Sequence, residues 1–451
     1  MNDTICAVIT GPGPGSDAVL RLSGPDAWTA VLALAKRQNF TPETRRAYLF
    51  NIYDGDGLLD QPLITFFKAP KSFTGEDVAE ISCHGSAYIK GRLLELLADK
   101  NVRPAKNGEF SMRAFLNGKI DLAQAQGLCD LVAAENKFSH DAAINAMDGK
   151  LSEKFRLVKD ILSELLAQIE ARLDDVDDEM DALDPDYSLE TLDRAGTEIK
   201  TLADTFRAGK FIKDGVKVSI VGAPNAGKSS LLNALLGFNR AIVSSDAGTT
   251  RDTVEDAFDY RGHKIILTDT AGIRAHALNA AESEGVERSR RAAAAADIII
   301  FTRDVSRPAT SSDEELWAEI QKLDKKIILA ENKSDLNYSP PGFETGAAAV
   351  LKISAKTGSG VADLKDEIIK LVNLDAVDAR SNIITSAAQY DMLSKSLAEI
   401  EKAKESISLD AGLELTAEHM RRALRNLREI IGEVYADDIL GIIFSKFCVG
   451  K

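Results

Sequence analysis

Gly222-Ala-Pro-Asn-Ala-Gly-Lys-Ser-Ser230 follows the apolar run Val216-Lys-Val-Ser-Ile-Val221 and leads into Leu231-Leu-Asn-Ala-Leu-Leu236. The order is strand, loop, helix, and the loop fits the G-x-x-x-x-G-K-[ST] pattern. Small residues there let backbone N–H groups close around phosphates at a helix N-terminus, where the helix dipole also favours anions. Asn225, Ala226, Gly227, Lys228, Ser229 and Ser230 are the residues expected to hold the nucleotide. Lys228 reaches for the β and γ phosphates, and Ser229 is a Mg²⁺ ligand.

Working outward, residues 216 to about 373 alternate short β runs with helical stretches. Lys264–Thr268, Asp297–Phe301, Lys326–Ala330 and Val350–Ile353 are the expected strands. This pattern predicts a mainly parallel, doubly wound sheet. Asp269, Thr270, Ala271 and Gly272 follow one strand, as expected of a loop that holds Mg²⁺ through water and senses the γ-phosphate. Asn332, Lys333, Ser334 and Asp335 follow another, and the Asp335 carboxylate can accept two hydrogen bonds from a guanine edge, which adenine does not offer. Ser354, Ala355 and Lys356 supply a backbone contact to the guanine oxygen. Nucleotides bind at the carboxyl ends of strands in such sheets, so the ligand expected is GTP.

Between the phosphate loop and Asp269, the residues Ser244, Ser245, Asp246, Ala247, Gly248, Thr249 and Thr250 occupy the place of a switch segment. All seven are expected at the nucleotide, with Thr250 the second Mg²⁺ ligand. The residue after Gly272 is Ile273, which cannot orient a water, and Glu282 and Glu284 are the nearest downstream carboxylates.

Residues 1 to about 117 mix short β runs (18–22, 63–67, 78–83) with a helix over 87–98, as in an α+β domain. From about 118 to 212 the period becomes helical, with Ile144, Met147, Leu151, Phe155, Val158, Leu162, Leu165 and Ile169 expected to form one long stripe. Residues 381–451 are helical again. Each helical segment has an apolar face to bury, so the two are expected to pack together, with the sheet domain inserted between them. The domains expected are 1–117, 118–214, 215–375 and 376–451, the second and fourth being two parts of one helical domain.

With 451 residues, 45% hydrophobic and 28% charged, the chain has the composition of a soluble protein of about three domains. No run of 18 apolar residues and no signal-like start occur, which predicts a cytoplasmic protein without a membrane association. Cys6, Cys83, Cys129 and Cys448 lie far apart and predict free thiols. A net charge of −15 disfavours non-specific adhesion to nucleic acid. The arginines at 421, 422, 425 and 428 read as a solvated helix face.

Outside these motifs the chain resembles the MnmE (TrmE) family of tRNA-modifying GTPases over nearly its whole length. The resemblance rests on Pro70-Lys-Ser-Phe-Thr-Gly-Glu-Asp-Val78 with Cys83-His-Gly85, on residues 108–125, and on the ending 437–451. It implies a tetrahydrofolate-binding-like N-terminal domain that also dimerises, a central helical domain and an inserted Ras-like G domain. It implies K⁺-dependent GTP hydrolysis, with K⁺ held by Asn225 and by groups around Ser244, Asp246 and Thr249. Glu282 aligns with the water-orienting glutamate, and Glu284 is its rival. The family acts with the flavoprotein MnmG in a heterotetramer to modify C5 of the wobble uridine of certain tRNAs, using 5-formyltetrahydrofolate or a related one-carbon folate. The matching folate positions are Arg21, Glu80, Lys119 and Lys451. Two positions depart from the family pattern: Pro14 stands where an arginine is usual, and Asp246 where an apolar residue is common.

Overall fold

The computed structural model describes residues 3–11, 13–175, 180–237, 256–268, 291–336, 346–374, 382–435, 437–445, 447 and 450. Two compact units are formed, one from Met1–Cys129, Ala146–Leu183 and Ala411–Lys451, the other from Asp130–Asn145 and Asp184–Asp410.

The first unit holds a six-stranded sheet of β1 (Thr4–Val8), β2 (Asp17–Ser23), β3 (Ala47–Leu49), β6 (Leu63–Phe67), β7 (Val78–His84) and β8 (Val102–Pro104), in the order β3-β6-β7-β2-β1-β8. All neighbours are antiparallel except β1 and β8. A hairpin of β4 (Ile52–Asp54) and β5 (Gly57–Asp60) completes its strands. One sheet face sends Leu20, Leu22, Ile64, Phe66 and Ile81 into a core shared with helices Ala27–Leu34 and Ala87–Ala98.

In the same unit helix Lys150–Leu173 packs along helix Leu413–Ile431. The expected stripe from Leu151 to Ile169 is buried in it. Ile144 and Met147 belong instead to a separate helix, Lys137–Met147. The break falls at Gly149, whose φ of +85° no helix accommodates. The last helix, Asp437–Ser445, sits on the segment around residues 108–125: Phe115, Ala125, Leu440, Phe444 and Phe447 form one cluster. A Cβ on Gly108 would lie 2.3 Å from the Phe444 carbonyl oxygen, so only glycine allows this approach.

The second unit is built on a sheet in the order β10-β11-β9-β12-β13-β14: β9 Val216–Val221, β10 Asp256–Tyr260, β11 His263–Thr268, β12 Ile298–Asp304, β13 Lys326–Asn332 and β14 Ala349–Lys352. Only β10, which the sequence patterning missed, runs antiparallel, against β11. Continuous apolar strands reflect burial on both faces. Val218, Ile220, Ile298, Ile300 and Ile328 pack on helices Lys228–Leu236 and Val361–Leu371. Ile299, Phe301, Ile327 and Leu329 pack on Trp317 and Ile320 of helix Ser311–Ile320. This is the Ras-like doubly wound arrangement. Helix Pro185–Asp204, capped by Asp184, packs along helix Ala387–Ser408. In each unit, then, a helix lying before the β9–β14 sheet in sequence pairs with one lying after it, so the domain built on that sheet is an insertion in a helical one.

Candidate functional site

The turn from β9 into helix Lys228–Leu236 takes two left-handed residues, Asn225 at φ +61° and Gly227 at φ +96°. Asparagine is one of the few side chains that tolerate this region. At Gly227 any Cβ would lie 2.2 Å from Asn332 Nδ2, so the glycine makes room for a neighbouring strand end. The loop's Lys228 ammonium donates to the carbonyls of Gly222 at 2.7 Å and Ala223 at 2.9 Å. Burial holds it below the usual lysine range, against the opposing effect of Asp313. A desolvated ammonium at a helix N-terminus is suited to phosphate, and this donor set fits a nucleotide's phosphates with Mg²⁺ on Ser229.

Asn332, at the end of β13 and 2% exposed, bonds in two directions. Its Nδ2 donates to the Ala226 carbonyl at 2.9 Å, and its Oδ1 accepts from the Ala355 N–H at 3.0 Å. One carboxamide thereby joins the phosphate loop to the base-reading loop. Asp335 is exposed and accepts from Ser354 Oγ at 2.7 Å, which aims its carboxylate along that loop. Lys333, left-handed at φ +66°, donates to Asp304 Oδ2 at 2.6 Å. Burial pushes the Asp304 carboxyl up, but hydrogen bonds from Lys333 and Ser306 outweigh it and hold the group below the usual range. Sequence reading did not single out Asp304, whose only local signal is its place at a strand end.

Asn225 to Ser230, Asn332, Lys333, Asp335 and Ser354 to Lys356 are thus brought to one edge of one sheet. The expected switch residues Ser244, Ser245, Asp246, Ala247, Gly248, Thr249 and Thr250 lie outside the described residues. So do Asp269, Thr270, Ala271 and Gly272 of the expected γ-phosphate loop, with Ile273, Glu282 and Glu284 after them. Lys451 and Cys448 lie outside them too.

In the N-terminal sheet Arg21 and Glu80 are cross-strand partners, with Nε donating to Oε1 at 2.8 Å. The Arg21 guanidinium sits 5.1 Å from the centre of the Phe73 ring. Lys119 donates to the Pro70 carbonyl at 3.0 Å, on the same 70–76 segment. Gly450 lies against Ile9, at the end of β1. Arg21 and Glu80 therefore present a donor and an acceptor side by side, which fits the mixed edge of a pterin. Cys6 and Cys83 are free and buried, and burial pushes each thiol up to about 11, so they are packing residues rather than nucleophiles. Arg421, Arg422 and Arg425 are exposed and paired with Glu170, Glu418 and Glu429, as in a solvated face.

Among the described residues no helix is long and apolar enough to cross a membrane, and no cluster of three or more acidic, histidine or cysteine side chains could hold a metal.

The model of the MnmE helical domain matches residues 122–448, and that of the GTP-binding protein TrmE N-terminus matches residues 4–119. Proteins named tRNA modification GTPase MnmE are similar throughout. That of Christiangramia forsetii is 37% identical with 100% of both chains covered, and that of Aquifex aeolicus is likewise 37% identical with 100% of both covered. That of Endomicrobium trichonymphae is 39% identical over 100% of this chain and 99% of its own.

Proposed function

The chain belongs to the MnmE family of tRNA modification GTPases, and on that premise we propose that its GTP hydrolysis is K⁺-dependent and serves the wobble uridine. It is a GTPase of tRNA modification, using GTP with Mg²⁺. With the flavoprotein MnmG it would install an aminomethyl or carboxymethylaminomethyl group at C5 of that base, as a homodimer within a heterotetramer in the cytoplasm. The domain limits at 117, 214 and 375 go with this reading.

The observation that carries it is the pair of hydrogen bonds made by the Asn332 carboxamide, which holds the phosphate loop and the base-reading loop in one fixed relation. With Asp335 aimed along the second loop, the edge is shaped for a guanine nucleotide. Hydrolysis needs charge between the β and γ phosphates offset and a water oriented. Asn225, exposed on its left-handed turn, is available to hold K⁺ with Ser244, Asp246 and Thr249, and Glu282 would orient the water. Ser245, Ala247 and Gly248 would line the same switch segment, and Thr270 and Ala271 would carry the loop from Asp269 to Gly272 past the γ-phosphate. K⁺ would supply the positive charge that an arginine finger supplies elsewhere. In the N-terminal domain Arg21, Glu80, Lys119 and Lys451 would hold 5-formyltetrahydrofolate or a related folate.

The test is GTP hydrolysis by the full chain in KCl against NaCl, for the wild type, Asn225→Ala and Glu282→Ala. Strong stimulation by KCl, abolished in Asn225→Ala, is expected, with Glu282→Ala slow in both salts. Equal wild-type rates in the two salts would overturn the K⁺ reading.

A further inference from the structure

The second face of the N-terminal sheet carries three cross-strand pairs in a row: Arg21 beside Glu80, Val19 beside Ser82, and Asp17 beside His84. Along this row Ser82, His84 and Asp17 are exposed. Glu80 and His84 are four residue steps apart along β7, about 13 Å at the rise of a strand.

At the His84 end a carboxylate comes up from β5. Asp60 Oδ2 accepts from the His84 backbone N–H at 3.0 Å, and Oδ1 lies 2.6 Å from Nδ1. The Asp60 side chain is 5% exposed and the imidazole 71%. A buried acid that grips an exposed ring at two points fixes the ring's orientation and occupies Nδ1, leaving Nε2 for an external partner. An ion pair open to solvent at its imidazole end is screened there and contributes little to stability. Orienting a ring nitrogen toward solvent is instead what imidazoles do at sites of proton donation and acceptance.

We propose that Asp60 and His84 form a second ligand contact on this face, where the imidazolium Nε2–H donates to a carbonyl or carboxylate oxygen of a reduced folate reaching back to Arg21 and Glu80. Asp60 is the positioning residue. The proposal rests on the folate reading above and extends it, because that reading leaves this end of the face without a role. The pterin edge, with its N–H donors beside a ring acceptor, complements the Arg21–Glu80 pair, and the oxygens at the other end of an elongated folate complement a cation. The charged groups around His84 favour the imidazolium. Asp60 from β5 acts most strongly, by its hydrogen bond, and Asp17 from β2 adds to it; together they hold His84 above its usual value. Lys90 of helix Ala87–Ala98 is the cation of the neighbouring helix, and its ammonium is engaged by the Gly13 carbonyl at 2.7 Å.

The experiment titrates 5-formyltetrahydrofolate into the full chain by calorimetry from pH 6 to 8.5, for the wild type, His84→Gln, Asp60→Asn and Arg21→Met. Imidazole titration is followed by NMR in the same proteins. Wild-type affinity is expected to fall as pH rises through the raised His84 value. His84→Gln should bind about tenfold more weakly at pH 6, the scale of one hydrogen bond to a charged donor, and show no such fall. Asp60→Asn should move both the binding limb and the NMR titration to lower pH, which a purely structural role would not do. Binding by the wild type that His84→Gln reproduces at every pH would overturn the His84 contact and leave the folate reading standing. An unmoved limb in Asp60→Asn would overturn the positioning role. Absence of wild-type binding at every pH would overturn the folate reading itself, and the contact with it.

Discussion

Asn332 Nδ2 donates to the carbonyl of Ala226, 106 residues earlier, across 2.9 Å inside the second unit. Removing that carboxamide leaves the Ala226 carbonyl and the Ala355 N–H without their partners, a loss of about 1–3 kcal/mol for the buried carbonyl and less for the half-buried N–H. Asn332→Ala is expected to weaken binding of a fluorescent GDP analogue at least tenfold and to lower the thermal midpoint. Asp335→Asn, an exposed change, should weaken guanine nucleotides while sparing the midpoint. Equal midpoints in the two variants would contradict the bracing role of Asn332.

Lys228 makes the opposite case. Its ammonium is buried on two carbonyls, and its protonation is disfavoured in the fold. In the window between the depressed value and the ordinary 10.5 the unfolded chain binds more protons, so this group's contribution to stability rises with pH. At neutral pH the nucleotide-free fold therefore bears the cost of a buried charge. Lys228→Met should keep the thermal midpoint of the nucleotide-free protein and lose GTP hydrolysis by a hundredfold or more. A midpoint well below the wild type would show that the lysine stabilises the empty loop.

His263 is 5% exposed and stacks on Phe138, with ring centres 4.1 Å apart and an interplanar angle of 12°. Burial holds it below the usual histidine range, against the opposing effect of Asp259. The neutral ring is the folded form, so the unfolded chain takes up the extra proton once pH falls below about 6.5. This one group should then remove stability at up to roughly 1.4 kcal/mol per pH unit until its folded value is reached. Denaturant midpoints at pH 7.5 and 5.5 should converge in His263→Phe relative to the wild type. An identical difference in both proteins would assign the acid sensitivity elsewhere.

Gly108 caps helix Glu109–Leu116 at φ +64°, and a Cβ there meets the Phe444 carbonyl. Gly108→Ala should cost roughly 1–3 kcal/mol through overpacking, and more through the backbone strain. Proteolysis of the segment after residue 432 should quicken, as read by the loss of the C-terminal fragment. Unchanged proteolysis would mean the last helix is held without this contact.

What was legible from the sequence was local. The phosphate loop, Asn332 to Asp335 and Ser354 to Lys356 announce themselves within a few residues, and strands such as Val216–Val221 stand out because burial on both faces makes them continuously apolar. Strands β1 and β8 did not stand out, since at five and three residues each is too short to show a clear period. Helical periodicity ran through Asp148 and Gly149 because the apolar spacing hardly changes across the break, whereas the backbone does. Pairings at a distance were also invisible. Asp60 is 24 residues from His84, and neither type of residue marks the other in a sequence without side-chain geometry. Asp304 and Lys333, 29 residues apart, are a second instance.

The seating of Asp437–Ser445 on the segment around residues 108–125 also bears on the order in which the chain can be assembled. The second unit draws all but sixteen of its residues from one continuous stretch, Asp184–Asp410, and can close soon after that stretch has left the ribosome. The first unit takes Ala411–Lys451 as part of itself, so although the core of its sheet is complete by Val102, the Phe115 cluster and the pairing of helices Lys150–Leu173 and Leu413–Ile431 stay open while the whole intervening domain is translated. During that interval Phe115 and its neighbours are bare, and a nascent chain stalled between about 130 and 410 is a client for chaperones before it is an enzyme.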